Sequence, residues 1–159
     1  MGFFSFFKIL FTPQSFKTGE KFEHYIRKKL FTERYFQLVE KTYGYGNKGV
    51  NYVKSVNPDF KFFDRRTKRF FFIEAKYRKS FYKGQLSWCT EKQLEHYHQC
   101  NRETPVFIVL GVGGEPWRPA FVALIPLYKV NFTTLYLSFA EKYKIHPRRS
   151  VLSKILWKK

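Results

Sequence analysis

Acidic residues are scarce in this chain. Twelve Asp and Glu stand against 30 Lys and Arg in 159 residues, a formal net charge of +18. That balance favours a polyanion as partner, with nucleic acid first and an anionic membrane surface second. Cysteine is nearly absent. Cys89 and Cys100 are the only two, too few for a disulfide framework, so a reducing, cytoplasmic setting is expected. The most apolar stretch, Met1 to Phe11, is too short to cross a bilayer. It lacks the basic n-region and small-residue cleavage site of a signal peptide, and Phe6 stands where a myristoylation signal needs Ser or Thr. Residues 1–18 are therefore expected to form an apolar segment packed on the domain, membrane contact being the lesser reading. There is no internal repeat, low-complexity tract or long linker either, so residues 19–159 read as one domain with a basic C-terminal region.

What is present is apolar and aromatic. The hydrophobic share is 44% and the aromatic share 21%, with 20 Phe and 11 Tyr. That supplies a core and leaves rings that could stack on bases. A first helix is predicted from about Thr18, because Phe22, Ile26 and Leu30 recur every four residues and Tyr25 widens the stripe. Glu23 falls beside that stripe. Tyr35 to Tyr43 reads as a strand and Gly44 to Gly49 as a loop. Phe60–Phe63 and Arg69–Lys76 read as strands of a hairpin joined by Arg65 to Lys68. A second helix is expected over Glu91–Cys100, with Thr90 as N-cap and Gln93 at capping-box spacing. Val106–Leu110 and Ala120–Ile125 read as buried strands, and Leu135–Ile145 as a last helix stopped before Pro147. The order helix, three strands, helix, strand predicts an α/β domain with a mixed sheet flanked by helices.

The segment Phe70 to Lys76, FFFIEAK, concentrates the chemistry. On a strand, Phe70, Phe72, Glu74 and Lys76 face one way and Phe71, Ile73 and Ala75 the other. Both faces are apolar until the C-terminal end, which implies a central strand. Glu74 and Lys76 then appear together where burial of charge demands a partner, either each other or a metal ion. Asp59, after Pro58, opens the preceding strand. In an antiparallel hairpin that start lies beside the end of the next strand. Two carboxylates and an ammonium thus converge, and hard oxygen ligands suit Mg²⁺.

Pro58-Asp59, then Glu74-Ala75-Lys76 after fourteen intervening residues, resembles the motif of the PD-(D/E)XK nuclease superfamily. The element order is similar to that family's restriction-endonuclease-like αβββαβ core. Gly19-Glu20-Lys21-Phe22-Glu23 looks like the family's first-helix pattern, and Gln93 matches a position near the site on the helix after the motif strand. The likeness spans about Gly19 to Leu110. It implies a metal-dependent DNA endonuclease. Asp59, Glu74 and the Ala75 carbonyl would hold Mg²⁺, with Mn²⁺ able to substitute, and no small-molecule cofactor is implied. Lys76 would orient or help deprotonate the attacking water, Glu23 would complete the metal surroundings or a second metal site, and Gln93 would orient the water or a phosphate oxygen.

Other signals weigh less. Gly44 to Gly49 satisfies GxGxxG, but no helix is expected directly after it, so a dinucleotide site is disfavoured. A loop approaching a DNA backbone through Tyr43, Tyr45 and Lys48 is the better reading. Arg78, Lys79 and Lys83 would carry positive charge outward from Lys76 to phosphates. The basic C-terminal region, from Lys142 to Lys159 with Ile155, Leu156 and Trp157 interleaved, would do the same. Cys89, His96, His98 and Cys100 lack the spacing of a zinc module. Tyr97, on the same helix face as Gln93, is expected to pack on the sheet. The competing functions are a noncatalytic nucleic-acid-binding protein of the same fold, a Holliday-junction or branched-DNA resolvase, which would need a symmetric homodimer, and a peripheral membrane protein. No feature of the sequence establishes a dimer.

Overall fold

A computed structural model describes residues 13–42 and 57–158. Residues 1–12, which hold most of the expected apolar N-terminal segment, and the loop with Tyr43, Tyr45 and Lys48 lie outside the described residues.

The first helix, α1 (Pro13–Tyr25), starts before Thr18 and runs on through a π-helical turn, Ile26–Leu30. Phe22, Tyr25, Ile26 and Leu30 are all buried, as their spacing requires. Strands β1 (Phe36–Lys41), β2 (Phe60–Asp64) and β3 (Arg69–Arg78) follow. Then come β4 (Gln85–Ser87), α2 (Glu91–Asn101), β5 (Val106–Glu115) and β6 (Arg118–Pro126). The main sheet has the order β1-β2-β3-β5-β6. Only β3 and β5 run parallel; the other pairs are antiparallel. A parallel pair needs a long crossover, and residues 79–105 with α2 supply it. The fold is thus a five-stranded mixed sheet flanked by helices.

Central position explains the apolar runs. Along β5, Phe107 and Val109 join the core under α1 while Ile108 and Leu110 join the core under α2. A strand covered on both faces has no polar side. Gly111, further along β5, makes room for α1: a Cβ there would stand 2.5 Å from the Phe22 ring.

One reading of the C-terminal part is corrected. Leu135–Ile145 is not one helix. Thr134–Tyr136 is a strand, β7, paired with β4 in a separate two-stranded sheet, and only Leu137–Ala140 (α3) continues as helix before a 3₁₀ turn at Glu141–Tyr143. Leu135 pairs with Leu86 and both are buried, so tertiary packing overrides the local helical pattern. The basic C-terminal region folds back as an anchored segment ending in a short helix, α4 (Ser153–Leu156). Asp64, fully buried at the end of β2, accepts hydrogen bonds from Ser153 Oγ at 2.8 Å and Trp157 Nε1 at 2.7 Å. Arg69 lies over the Trp157 ring at 3.6 Å. No helix among the described residues is long and apolar enough to cross a membrane.

Candidate active site

The hairpin of β2 and β3 sets the site. Phe60 pairs with Ile73, so the next pair outward is Asp59 beside Glu74. β2 has ended at that point, and the Ala75 N–H that would have continued the ladder donates instead to Asp59 Oδ2 at 2.8 Å. The Asp59 N–H lies 3.3 Å from Glu74 Oε2 and donates to it. Thr42, just past β1, fixes the corner: its N–H donates to the Asp59 carbonyl and its hydroxyl to the Pro58 carbonyl. Glu74 Oε1 lies 3.2 Å from Lys76 Nζ. Glu23, from α1, reaches the same end of the sheet and pairs with Lys41 Nζ at 3.6 Å. Its carboxyl is also within hydrogen-bonding reach of Asp59.

Three carboxyl groups therefore share a place with two ammonium groups, those of Lys41 and Lys76. Among the described residues Asp59 has no ion-pair partner of its own within 4.0 Å. Burial, then the charges of Glu74 and Glu23, push Asp59 well above the usual carboxylate range, against the pull of Lys76 and the Ala75 N–H. Burial also raises Glu23, with Lys41 opposing and Glu74 adding to it. Carboxyl groups this close cannot all ionise cheaply.

This donor set fits a hard divalent cation in its chemistry: carboxylates and a nearby carbonyl, with one negative charge in excess when all are ionised. Each carboxylate is, however, turned onto a protein donor, and among the described residues no group of three or more His, Cys, Asp or Glu side chains is already arranged around a metal.

The remaining expected residues distribute as follows. Gln93 sits in the first turn of α2, exposed, where its Oε1 accepts from the Thr90 N–H at 3.0 Å and its own N–H donates to Thr90 Oγ1. The capping box thus occupies the side chain that was expected at the site. One turn on, along the same face, the buried Tyr97 hydroxyl lies within hydrogen-bonding reach of Glu74. Burial and the charges of Glu74 and Asp59 raise its phenol well above its ordinary value. The signal for Tyr97 was its four-residue spacing from Gln93. Lys41 gave no signal, because only the folding of β1 against β2 brings it to Glu23. Lys79 and Lys83 are exposed, and the Arg78 guanidinium donates to the carbonyls of Ser87, Tyr77 and Trp88 at 3.1, 2.9 and 3.2 Å. Cys89 lies close by, its thiol pushed up to about 12 chiefly by burial. His98 Nε2 is 2.8 Å from the Val130 carbonyl oxygen, and His96 Nε2 is 3.6 Å from Cys100 Sγ.

No protein-family model matches the chain, and no curated protein does. Among solved structures it is similar to Hjc of Archaeoglobus fulgidus, a Holliday junction resolvase from an archaeal hyperthermophile. The TM-score is 0.56 at 16% identity, over 80% of this chain and 89% of that one. The likeness establishes a shared fold, the mixed five-stranded sheet flanked by helices.

Proposed function

We propose that the chain is a metal-dependent DNA endonuclease that hydrolyses phosphodiester bonds at the Asp59–Glu74–Lys76 end of the sheet. The observation that carries the reading is the convergence there of Glu23, Asp59, Glu74 and Lys76 with an uncompensated carboxylate, Asp59. Asp59, Glu74 and the Ala75 carbonyl would hold Mg²⁺ or Mn²⁺, with Glu23 beside them. When bound, such an ion supplies Lewis-acid chemistry, drawing charge from a phosphate oxygen and making water a better nucleophile at neutral pH.

The protein's own groups do the rest. Asp59 is aimed by one backbone donor, the Ala75 N–H, and by a corner that Thr42 ties down, so it needs little reordering to act as a ligand. Lys76, held at 3.2 Å by Glu74, presents a positive charge where negative charge grows on the phosphoryl oxygens. Such preorganised charge is worth about 10²–10³-fold in rate when removed. Tyr97 fixes the rotamer of Glu74 from behind. DNA as substrate is supported by the net charge of +18 and by the fold shared with a junction resolvase. That same likeness favours a second reading within the class, cleavage of four-way junctions by a homodimer. Two free cysteines agree with a reducing, cytoplasmic setting.

The test uses purified Asp59→Ala, Glu74→Ala and Lys76→Ala proteins with Mg²⁺ or Mn²⁺ on linear duplex, single-stranded, flap and four-way-junction DNA. The parent should cut at least one substrate and each variant should lose about 10²-fold or more. Unchanged cleavage by all three variants removes the assignment. Binding without any cleavage by the parent would instead favour the noncatalytic reading.

A further inference from the structure

The small sheet of β4 and β7 plays no part in the chemistry above, yet its outer face is unusual. Tyr82, Lys83, Gly84 and Gln85 form a tight hairpin turn. Tyr82 and Gln85 exchange backbone hydrogen bonds, N to O at 2.8 and 3.1 Å. Both central residues have positive φ, Lys83 at 49° and Gly84 at 74°, the pattern of a type I′ turn. Across β4, Gln85 pairs with Tyr136 of β7. Tyr82, Gln85 and Tyr136 therefore form one row across three neighbouring chain segments, and residues in a row project to the same face. Leu86 and Leu135, in the next row, point the other way into the core under α2. The outer row is exposed, Tyr82 at 72% and Tyr136 at 57%. Its two rings stand about 10 Å apart at the usual spacing of strands, too far to hold each other. Phe132, 74% exposed, lies just before β7, and its carbonyl is fastened by the Trp88 indole N–H at 2.9 Å.

The two segments that build the sheet carry only basic charge, with Glu91 and Glu141 just beyond their ends. Residues 79–90 and 127–140, which build this sheet, contain Lys79, Lys83 and Lys129 and no Asp or Glu. Lys83 stands 5.5 Å from the Tyr82 ring centre, at the apex of the turn. The face is also tied to the candidate active site, because Arg78, two residues past Lys76 on β3, donates to the carbonyls of Ser87 and Trp88.

Resting on the nuclease reading, we infer that the outer face of the β4–β7 sheet is a stacking platform for unpaired bases of the DNA substrate. Tyr82 and Tyr136 each take one base, and Lys83 meets the adjoining phosphate. Rings with open faces beside lysines match single-stranded nucleic acid. A paired duplex offers no free base face to them. The platform therefore directs cleavage toward DNA with unpaired nucleotides near the cut, and Arg78 keeps it in register with the catalytic strand.

The experiment measures binding in EDTA, so that it is independent of cleavage. The probes are a fluorescent single-stranded oligonucleotide and the fully paired duplex of the same sequence. The proteins are the parent, Tyr82→Ala, Tyr136→Ala, the double variant, and Tyr82→Trp/Tyr136→Trp as a ring-retaining control. Each alanine should weaken single-strand binding by about tenfold while duplex affinity stays within about twofold, and the tryptophan pair should restore it. Equal loss on both probes, or no loss on either, overturns the platform. So does a change of sedimentation in the alanine variants, which would make this face a contact between copies of the chain. Intact platform behaviour in a parent that cuts no DNA would refute the nuclease reading and leave the base-binding face standing.

Discussion

Replacing Asp59 by Asn should stabilise the protein in the absence of divalent ions. The magnitude follows from the charges around the side chain. Asp59 meets two carboxylates, Glu74 and Glu23, and one ammonium, Lys76. At an effective dielectric near 20, unit charges at contact distances interact by about 4 kcal/mol. Two repulsions against one attraction leave roughly one repulsion, and desolvation adds to it. Protonation caps the cost, because holding a carboxyl neutral at pH 7 costs about 4 kcal/mol from an ordinary value near 3.9. Relief of about 1–3 kcal/mol is therefore expected, a rise in Tm of roughly 3–10 °C for a chain of this length. Asn keeps an oxygen for the Ala75 N–H and offers an N–H to its acidic neighbours.

The sign with pH is definite. Asp59 is raised in the folded state, so the folded protein binds the extra proton between the ordinary and the raised value. Stability of the parent falls as pH rises through that window. The advantage of the Asn variant should thus be full above the raised value and vanish below about pH 4. Thermal melts by circular dichroism in EDTA, from pH 4 to 8, measure it. Mg²⁺ or Mn²⁺ should then close the gap, by about 2.7 kcal/mol for the parent at a hundredfold excess over Kd and by less for the variant. An Asn variant that melts at or below the parent at pH 7.5 in EDTA, or a gap that ignores pH, would refute the crowded-carboxylate account.

Four further outcomes are expected. Asp64→Ala removes the acceptor for Ser153, Trp157 and the Arg66 and Thr67 N–H groups and should cost about 3–5 kcal/mol in urea unfolding, with early proteolysis of the C-terminal segment. Burial alone would raise Asp64, but these bonds outweigh it and lower it. Its stabilisation is therefore present above an ordinary value near 3.9 and lost as pH falls through the lowered one, which an acid titration of the parent against Asp64→Asn will show. Gly111→Ala drives a methyl into Phe22 and should cost about 1–3 kcal/mol, cutting cleavage as well because α1 carries Glu23; an unchanged melting curve would contradict the packing. Tyr97→Phe keeps the ring against Trp88 but frees Glu74, so divalent-ion affinity by calorimetry should fall about tenfold with the fold intact.

The strand elements and the acidic convergence were legible because both follow from local rules. Alternation in FFFIEAK and the four-residue turn at Arg65 to Lys68 fix which residues face each other, and the hairpin then brings Asp59 to Glu74 without further information. The stripe of α1 was legible for the same reason, and Glu23 came with it. Tyr136 and Lys41 illustrate what was not. β7 forms because Leu135 finds Leu86 across an intervening helix and two strands, and neither strand carries a signal by itself. A three-residue strand flanked by good helix formers is decided by its partner, not by propensity.

Gln93 shows a subtler limit. Two roles fell on one residue: a capping partner for Thr90, read from spacing, and an orienter of water or a phosphate oxygen, implied by the family resemblance. A side chain has a single amide oxygen, and Gln93 Oε1 accepts from the Thr90 N–H, 3.0 Å away and always present. A contact to the site would have to displace that bond and leave a helix N-terminal N–H without a partner, at a cost of about 1 kcal/mol. Tyr97 faces no such competition. It lies one turn inward, is buried, and its hydroxyl has Glu74 within reach. Where a local hydrogen bond and a distant functional contact compete for the same atom, the local bond prevails unless substrate supplies more. Gln93→Ala should therefore lower helix stability while leaving single-turnover cleavage within a few-fold of the parent, and a loss as large as that of Lys76→Ala would show that substrate draws Gln93 out of its cap.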